Sequence, residues 1–390
     1  MTISKAVHEI AAIGCITVAE SDGGHLFITA TPTEPSSIEQ NGSLFNAVLT
    51  QLAERGAVPV HERIFGSLDA APSIRNAFNR AYADAHLTAQ GRHTFIQGMP
   101  PGGTGFAGLL IHAILPERSF TAPVSVFDGD RIVGRQWRSN RCEYMVLHDL
   151  GSEADPNTTV DRQTESVLSR ANRLVEGAGF EFRDVARSWF YLENILKWYD
   201  TFNRVRSTAY DAFGIMPKPG GGPLLLPAST GIEGRNPART ALTVDLFLVR
   251  PDKGAAPPER ILNPAQKEAF RYGSSFSRAV CVREAGEALI EISGTAAIDE
   301  TGRSLYPNDA ASQIDCTLDK LEILLSAANA ALTDIVSAVV FVKQPETAGR
   351  FAAAAARRGL SNFPAVVTTA DVCRDDLLFE IDAEALAAQK

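Results

Sequence analysis

The alternation of hydrophobic and polar residues predicts the same succession of elements three times along the chain. In the first third, a strand at His25–Thr31 precedes a helix at Leu44–Arg55, whose apolar residues recur at helical spacing. A short strand at Ile64, a helix at Ser73–Ala85 and a strand at Gly108–Leu115 follow. The first third therefore has the order β, α, β, α, β.

This order returns in the second and third parts of the chain. The second part has predicted strands at Val124–Val126, Arg131–Trp137, Glu143–Leu147, Val185–Leu192 and Thr240–Arg250, with helices around Val167–Val175 and at Ile195–Phe213. The third has a hairpin of Ala288–Ile298 and Gly302–Leu305, strands at Ile335–Val342 and Leu377–Ala383, and helices around Leu318–Ala328 and at Ala348–Arg358.

The repeated order predicts three units joined in one chain. We place them at residues 1–118, 119–252 and 253–390, because Pro251–Pro264 is rich in proline and charge and reads as a linker. Each sheet with its two helices can be completed against a neighbour, so we expect a pseudo-threefold molecule of α/β (α+β) class. Three fused units make a further trimer unnecessary, and we expect a monomer.

Composition narrows the possible partners. The 390 residues carry a net charge of -9 and no Lys/Arg-rich run, which disfavours nucleic acid and an anionic membrane as partners. No apolar run is long enough to span a bilayer, and the N-terminus lacks the pattern of a signal peptide, so we expect a cytoplasmic protein. The five cysteines form no CxxC pair, which argues against a disulfide framework and a zinc site.

Four features of the sequence carry possible chemistry. The stretch Arg187–Tyr210 holds two Trp, three Tyr and three Arg. Ala228–Gly231 (ASTG) is either a nest that binds a carboxylate or hydroxyl, with Arg239 near it, or a capped turn. Glu380, in an apolar strand, is either a desolvated acid with a raised pKa or a solvated edge residue. Cys373 is either a functional thiol or a small buried hydrophobe.

Several segments resemble known families. In the third unit, ISGTAAIDETG (Ile292–Gly302), FPA (Phe363–Ala365) and LLFEIDAEA (Leu377–Ala385) resemble the Rid (YjgF-type) family of small trimeric proteins. A longer resemblance, from Ala122 to the C-terminus, is to the chorismatases, fused and diverged relatives of that trimer. It is carried by RSNRCEYMVL (Arg138–Leu147), ARSWFYLENILKWYDTFNRVR (Ala186–Arg206), LPASTGI (Leu226–Ile232) and CRDDLLFEI (Cys373–Ile381).

The resemblance implies a fold of three Rid-like (chorismate-mutase-like) units and an enzyme that cleaves chorismate with release of pyruvate, without metal or cofactor. It makes Glu380 the acid that protonates the enolpyruvyl methylene carbon. A Cys seven residues before the acid matches the members that aromatise the ring, chiefly to 3-hydroxybenzoate, and here it is Cys373. The open alternatives are 4-hydroxybenzoate and a hydrolase that gives a dihydroxycyclohexadiene carboxylate.

Two carboxylates on a small ligand call for guanidinium and phenol donors. Of Arg204 and Arg206, two apart on a helix, we expect only one to face the site. The substrate-binding candidates are Arg141, Tyr144, Arg204, Arg206, Tyr210, Ser229, Thr230, Gly231 and Arg239.

A Rid-type imine deaminase or metabolite-binding module is the main alternative function. Rid enzymes, which the third unit resembles, need an Arg directly after a Pro-Ala pair in the loop before the last strand of the unit, where it binds the substrate carboxylate. Val366 stands there in the third unit, whereas NPAR (Asn236–Arg239) in the second unit keeps the alternative open.

Overall fold

The structure, a computed structural model, describes residues 2–33, 36–87, 93–155, 157–218, 223–284 and 286–389. Within these residues the chain forms three mixed six-stranded sheets, each with helices on one face. The predicted threefold repeat of one α+β unit is thereby confirmed. No helix in the described part of the chain is both long and apolar enough to cross a membrane.

The bounds of the elements are as follows. The first unit has strands β1 Ile3–Ile10, β2 Gly14–Ser21, β3 His25–Pro32, β4 Val58–Gly66, β5 Thr94–Gln97 and β6 Phe106–Ile114, with helices α1 Ile38–Arg55 and α2 Ala71–Asp84. The second has β7 Val124–Asp128, β8 Arg131–Arg138, β9 Cys142–Gly151, β10 Val185–Leu192, β11 Ala228–Glu233 and β12 Leu242–Pro251, with α3 Val160–Gly177 and α4 Tyr199–Ala212. The third has β13 Glu259–Ile261, β14 Ala279–Glu284, β15 Glu287–Ala296, β16 Ile335–Val342, β17 Ala365–Thr369 and β18 Phe379–Ala388, with α5 Ala310–Ala327 and α6 Thr347–Arg357.

The three sheets share one strand order. In the third unit it is β13-β14-β15-β18-β16-β17, and the other two sheets repeat it with their own strands. The last pair, such as β10 with β11, is parallel, and the other pairs are antiparallel. The closing strand (β6, β12 or β18) therefore lies inside its sheet, between two partners.

Each sheet buries both of its faces. One face packs on its own helices: Phe379 and Ile381 of β18, for example, belong to the core that includes α5 and α6. The opposite faces of all three sheets pack together in a shared interior with large aromatic side chains such as Trp137, Trp189 and Phe341. Since successive strand residues point to opposite faces, Glu380 and Asp382 point into this shared interior.

Two sequence predictions about local structure were wrong. Ala228–Gly231 is neither a nest nor a turn but the start of β11, because the open edge of β10 offers backbone groups that this segment pairs with in parallel. Gly302–Leu305 is not the second strand of a hairpin. β15 pairs with β14 and β18 instead, and only an isolated bridge joins Ile298 to Ser304.

Helix α4 begins at Tyr199, later than predicted, because a 3-10 helix occupies Ile195–Lys197. Its buried face carries Phe202, Val205 and Tyr210 at helical spacing, and also the charged Arg206. A buried guanidinium on an otherwise apolar helix face needs partners, and it finds them at the boundary with the third unit.

Candidate active site

A cavity, called the inner cavity below, lies where the second unit meets the third. Strand β11 runs beside β15 here: the Ser229 amide donates to Ser293 Oγ at 2.7 Å, and Ala228 bridges to Ser277. Side chains from α4, β11, β15 and β18 therefore converge on it. The lining residues are Tyr199, Arg206, Ser229, Gly231, Tyr272, Ser274, Phe276, Arg278, Gly294, Ala296, Ile298, Cys373, Arg374 and Glu380.

Glu380 is the only carboxylic acid among the described residues that line the inner cavity. It is 5% exposed and sits on β18, inside the sheet, so it is not a solvated edge residue. Burial raises its pKa to about 8; nearby Asp382 raises it further, and Arg187 and Arg374 lower it. A carboxyl group with this pKa keeps its proton at neutral pH and can donate it.

Gly294 makes room for the Glu380 carboxyl group. The register between β15 and β18 shifts between Ile292 and Thr295, so β15 bulges beside the acid. A Cβ added to Gly294 would lie 2.1 Å from Glu380 Oε1, far inside van der Waals contact. The glycine at this position therefore leaves the space that the Glu380 carboxyl group occupies.

Arg206 is a guanidinium buried at the wall of the inner cavity. It is 1% exposed, and its Nη2 donates to Asn203 Oδ1 at 2.8 Å. Its Nη1 lies 3.4 Å from Ser229 Oγ, and its guanidinium carbon lies 4.8 Å from the centre of the Phe202 ring. These contacts hold the group in one orientation, as recognition of a planar carboxylate requires.

Two more guanidinium groups line the inner cavity from the third unit. Arg278 is 3% exposed, and its Nη2 donates to Tyr272 Oη at 2.6 Å. Its guanidinium carbon also lies 5.3 Å from the centre of the Phe276 ring. Arg374 donates to the carbonyl of Gly302. Three cationic side chains thus face a cavity with one acid, which favours an anionic ligand despite the negative charge of the whole chain.

Tyr199 and Cys373 lie together beside Glu380. A Cβ on Gly231 would come 3.3 Å from the Tyr199 ring, so a glycine there lets the phenol approach β11. Burial, followed by the charge of Glu380, raises the pKa of the Cys373 thiol to about 12. At neutral pH the sulfur therefore carries its proton, which argues against a free thiolate.

A second, wider cavity, called the outer cavity, adjoins the inner one. The inner cavity is small, with a volume of ≈ 40 Å³. The outer cavity has a volume of ≈ 820 Å³. The residues that line both cavities are Tyr199, Tyr272, Ser274, Cys373 and Arg374.

Not all predicted site residues meet at the inner cavity. Those that line it are Glu380, Cys373, Arg206, Ser229 and Gly231. Arg204 is exposed and lines the outer cavity, so of the two helical arginines only Arg206 faces inward.

The remaining predicted residues lie elsewhere. Thr230 and Tyr210 are buried behind the wall: Thr230 Oγ1 donates to Asp382 at 2.8 Å, and the Tyr210 ring lies 5.4 Å from that of Phe182. Tyr144 donates to Glu284 and stacks on Trp137, away from Glu380. Arg141 is exposed at the β8–β9 connection, and Arg239 lines a separate cavity between the first and second units.

Sequence reasoning missed Tyr199, Tyr272, Phe276, Arg278 and Arg374. Tyr199 was part of the aromatic stretch, but its spacing gives no reason to prefer it to Tyr210. Arg278 precedes a strand in a segment without a recognisable pattern, and nothing local indicates which cavity it enters. Arg374 directly follows Cys373, and this adjacency was the available signal.

No group of three or more His, Cys, Asp or Glu side chains arranged to hold a metal ion occurs among the described residues. The side chains that line the inner cavity include acid, guanidinium, phenol and thiol groups. These can bind an anion and transfer a proton.

Comparison with known proteins agrees with this architecture. A solved structure described as a chorismatase at 1.08 Å resolution superposes with a TM-score of 0.61, covering 84% of this chain and 92% of the other at 19% identity. The chain has the chorismatase fold. The resemblance seen in the sequence is therefore confirmed at the level of the fold.

Shorter similarities concern the Rid-like unit. The family model described as Endoribonuclease L-PSP matches residues 267–387, within the third unit of the chorismatase fold. A putative endoribonuclease from Thermotoga maritima is 22% identical and covers 34% of this chain and 98% of its own, with a TM-score of 0.28. The YjgF gene product of E. coli is 24% identical, covering 34% and 99%, with a TM-score of 0.27. No curated protein matches the sequence.

Proposed function

We propose that the protein is a chorismatase, an enzyme that cleaves chorismate and releases pyruvate. The observation that carries the proposal is the buried Glu380 carboxyl group, protonated at neutral pH, in a cavity lined by Arg206, Arg278 and Arg374. Chorismate carries two carboxylates and an enol ether. A proton donor for the ether and guanidinium groups for the carboxylates are what its cleavage requires.

The likeness in fold to a chorismatase supports the same proposal independently of the site. In the proposed reaction, three arginines of the inner cavity would take part in holding the substrate carboxylates. They are Arg206 from the second unit and Arg278 and Arg374 from the third. Arg374 acts electrostatically on Glu380, so the enolpyruvyl carboxylate is assigned to Arg374 and the ring carboxylate to Arg206. This places the methylene carbon on the side of the acid.

The reaction begins with transfer of the Glu380 proton to the methylene carbon. The enol ether carbon then carries the positive charge, shared with the ether oxygen. Breaking the bond from that oxygen to ring carbon C3 gives the carbonyl of pyruvate and leaves the positive charge on C3. Direct loss of the C4 proton would give 4-hydroxybenzoate. For 3-hydroxybenzoate, the C4 hydroxyl oxygen first bonds to C3 and loses its proton, which forms an arene oxide. The Glu380 carboxylate can take that proton back, so aromatisation consumes no water and returns the acid to its starting state.

The product we assign is 3-hydroxybenzoate, with Cys373 assisting aromatisation. Because burial raises the pKa of Cys373 to about 12, the sulfur reacts as a thiol: it adds to C4 of the arene oxide while its proton passes to the oxygen, which stays on C3. The C3 proton is then lost to the departing sulfur as the C4–S bond breaks, which gives 3-hydroxybenzoate and restores the thiol. If water reaches the cation instead, the product is the dihydroxycyclohexadiene carboxylate of a hydrolase.

A Rid-type deaminase is less well supported. In the second unit Ser229 follows the pair Pro227 and Ala228, as Val366 follows Pro364 and Ala365 in the third. Ser229 and Val366 thus occupy the position where the Rid resemblance requires an Arg. Arg239 of the NPAR segment lies beyond β11 and lines a different cavity.

The test is incubation with chorismate, coupled detection of pyruvate, and chromatography of the aromatic products. We expect equal amounts of pyruvate and 3-hydroxybenzoate. Absence of pyruvate would refute the chorismatase proposal, while pyruvate with the dihydroxy product would replace the synthase by the hydrolase. Cys373→Ala should retain pyruvate release and lose 3-hydroxybenzoate, and unchanged 3-hydroxybenzoate would remove the thiol from the mechanism.

A further inference from the structure

A buried ion pair lies directly behind the acid. Arg187 on β10 is 0% exposed, and its Nη2 lies 3.2 Å from Asp382 Oδ2. The same nitrogen donates to Thr230 Oγ1 at 2.6 Å, and Thr230 Oγ1 donates to Asp382 at 2.8 Å. The Gly294 amide, beside Glu380, also donates to Thr230 Oγ1 at 3.2 Å. Asp382 and Thr230 together thus hold the guanidinium in place.

The first unit supplies the second cation of this region. Arg63 on β4 is 2% exposed, and its Nη2 lies 3.0 Å from one oxygen of Glu384 and 3.2 Å from the other. The ring of Trp189 lies 4.6 Å from each of the two guanidinium carbons, Arg63 and Arg187. Glu384 is therefore neutralised within the interior that all three units share.

Two guanidinium groups face four buried carboxyl groups here. Asp382 and Glu384 each have a cation, while Glu291 Oε2 lies 3.8 Å from Arg187 Nε and has no hydrogen-bond partner among the described residues. No described Arg or Lys forms an ion pair with Glu380. A buried carboxyl group without a cation of its own favours the protonated form, because burying an unpaired charge is costly.

We propose that Asp382 is a positioning residue for Glu380: it binds the Arg187 guanidinium, which would otherwise pair with Glu380 and remove its proton. The inference rests on the proposed function, because it concerns the acid of that reaction. Glu380 and Asp382 are two residues apart on one strand face, and both lie within electrostatic reach of Arg187. The titratable and charged groups around Glu380 are Asp382, Arg187, Tyr199, Arg206, Tyr272, Arg278, Cys373 and Arg374.

The test compares Asp382→Asn with Glu291→Gln. Asp382→Asn frees Arg187 for Glu380, so the pH above which kcat/KM declines should fall by about 1 unit or more. Activity lost at pH 8 should return in part at pH 6. Burial raises the pKa of Glu291 to about 8, so below that pH Glu291→Gln replaces one neutral group by another and should move the decline less than Asp382→Asn does. Asp382→Glu keeps the negative charge, so its kcat/KM should decline at the same pH as that of the parent protein.

A parallel measurement does not depend on turnover. The Glu380 carboxyl carbon, labelled with ¹³C and assigned by its loss in Glu380→Gln, should titrate at lower pH in Asp382→Asn than in the parent protein. If chorismate is not cleaved at all, the proposed function fails, and this titration still tests Asp382. An unshifted titration in folded Asp382→Asn would overturn the inference.

Should Asp382→Asn not fold, Asp382→Ser removes the charge with less bulk and is measured in the same way. If neither variant folds while Glu291→Gln does, Asp382 is a structural residue and the inference is wrong.

Discussion

Replacing Glu380 by Gln removes the only carboxylic acid among the described residues of the inner cavity and barely changes the size of the side chain. The amide cannot donate a proton to carbon. Loss of a general acid costs about 10²- to 10⁴-fold in rate, so we expect kcat for pyruvate release to fall by that factor. KM should change little, because the arginines that would hold the two carboxylates remain.

The pH dependence can be worked out from the burial of the acid. With a pKa of about 8, the Glu380 carboxyl group is about 90% protonated at pH 7; at the ordinary value of 4.5 it would be about 0.3% protonated. Burial thus supplies about 300-fold more of the acid form at neutral pH. Because the protonated form is the active one, kcat/KM should be level below pH 7 and decline as the pH rises through about 8.

The assay is initial-rate pyruvate release from pH 5 to 10 with the parent protein, Glu380→Gln and Glu380→Asp. Glu380→Asp keeps an acid but shortens it, so it should retain more activity than the amide and show a decline with pH. A decline centred near 4.5, or a profile that stays level up to pH 9.5, would refute the argument that burial keeps the acid protonated. Full activity of Glu380→Gln would show that Glu380 is not the proton donor.

Four further predictions concern the surroundings of the acid. Arg206→Lys loses the planar fork and should raise KM by about 10- to 100-fold with folding intact, and an unchanged KM would assign the carboxylate to another arginine. Gly294→Ala places a Cβ 2.1 Å from Glu380 Oε1 and should reduce kcat by about 100-fold, whereas Gly349→Ala, with nothing within 4 Å, is the matched control and should be silent. Arg204 lines the outer cavity, where its charge can attract an anionic substrate. Arg204→Gln should therefore lower kcat/KM by about 2- to 10-fold at low salt and leave kcat unchanged, and the effect should vanish at about 0.5 M salt. A loss that does not depend on salt would contradict this steering role. The folded-state pKa of Glu380 lies above its unfolded value, so the parent protein loses stability as the pH rises from about 4.5 to about 8, by about 5 kcal/mol at most. Glu380→Gln should therefore melt like the parent at pH 5 and at a higher temperature at pH 9, and equal melting curves at pH 9 would show that ionisation of Glu380 costs little.

The sequence predicted the repeat well because periodicity is a local property. Helices α3 to α6 and the long strands β10, β12 and β16 have apolar residues at regular spacing, which a single sequence shows directly. The short parallel strands β5, β11 and β17 were not predicted. They are held by the edge of a neighbouring strand, and their own pattern does not distinguish them from loops.

For the candidate site, too, the sequence indicated some residues correctly and placed others wrongly. Glu380, Cys373, Arg206 and the segment at Ser229 were found through motifs in the sequence, and all four line the inner cavity. Thr230 was expected to bind substrate, yet β11 turns its side chain toward Asp382. Adjacent residues of a strand face opposite ways, so assigning this segment to a loop concealed which hydroxyl faces the cavity.

By itself the sequence determined the three units, the strand that carries the acid and the face on which that acid lies, because each follows from spacing along one segment. Only the tertiary structure decided that Glu380 lies beside Gly294 and β11, that Arg278 and Arg374 join Arg206, and that Asp382 binds Arg187. These contacts join residues far apart in the chain, and those with β11, Arg206 and Arg187 also join different units. The proton affinity of the acid is set by burial and by neighbouring charges, and both exist only after the sheets have packed together.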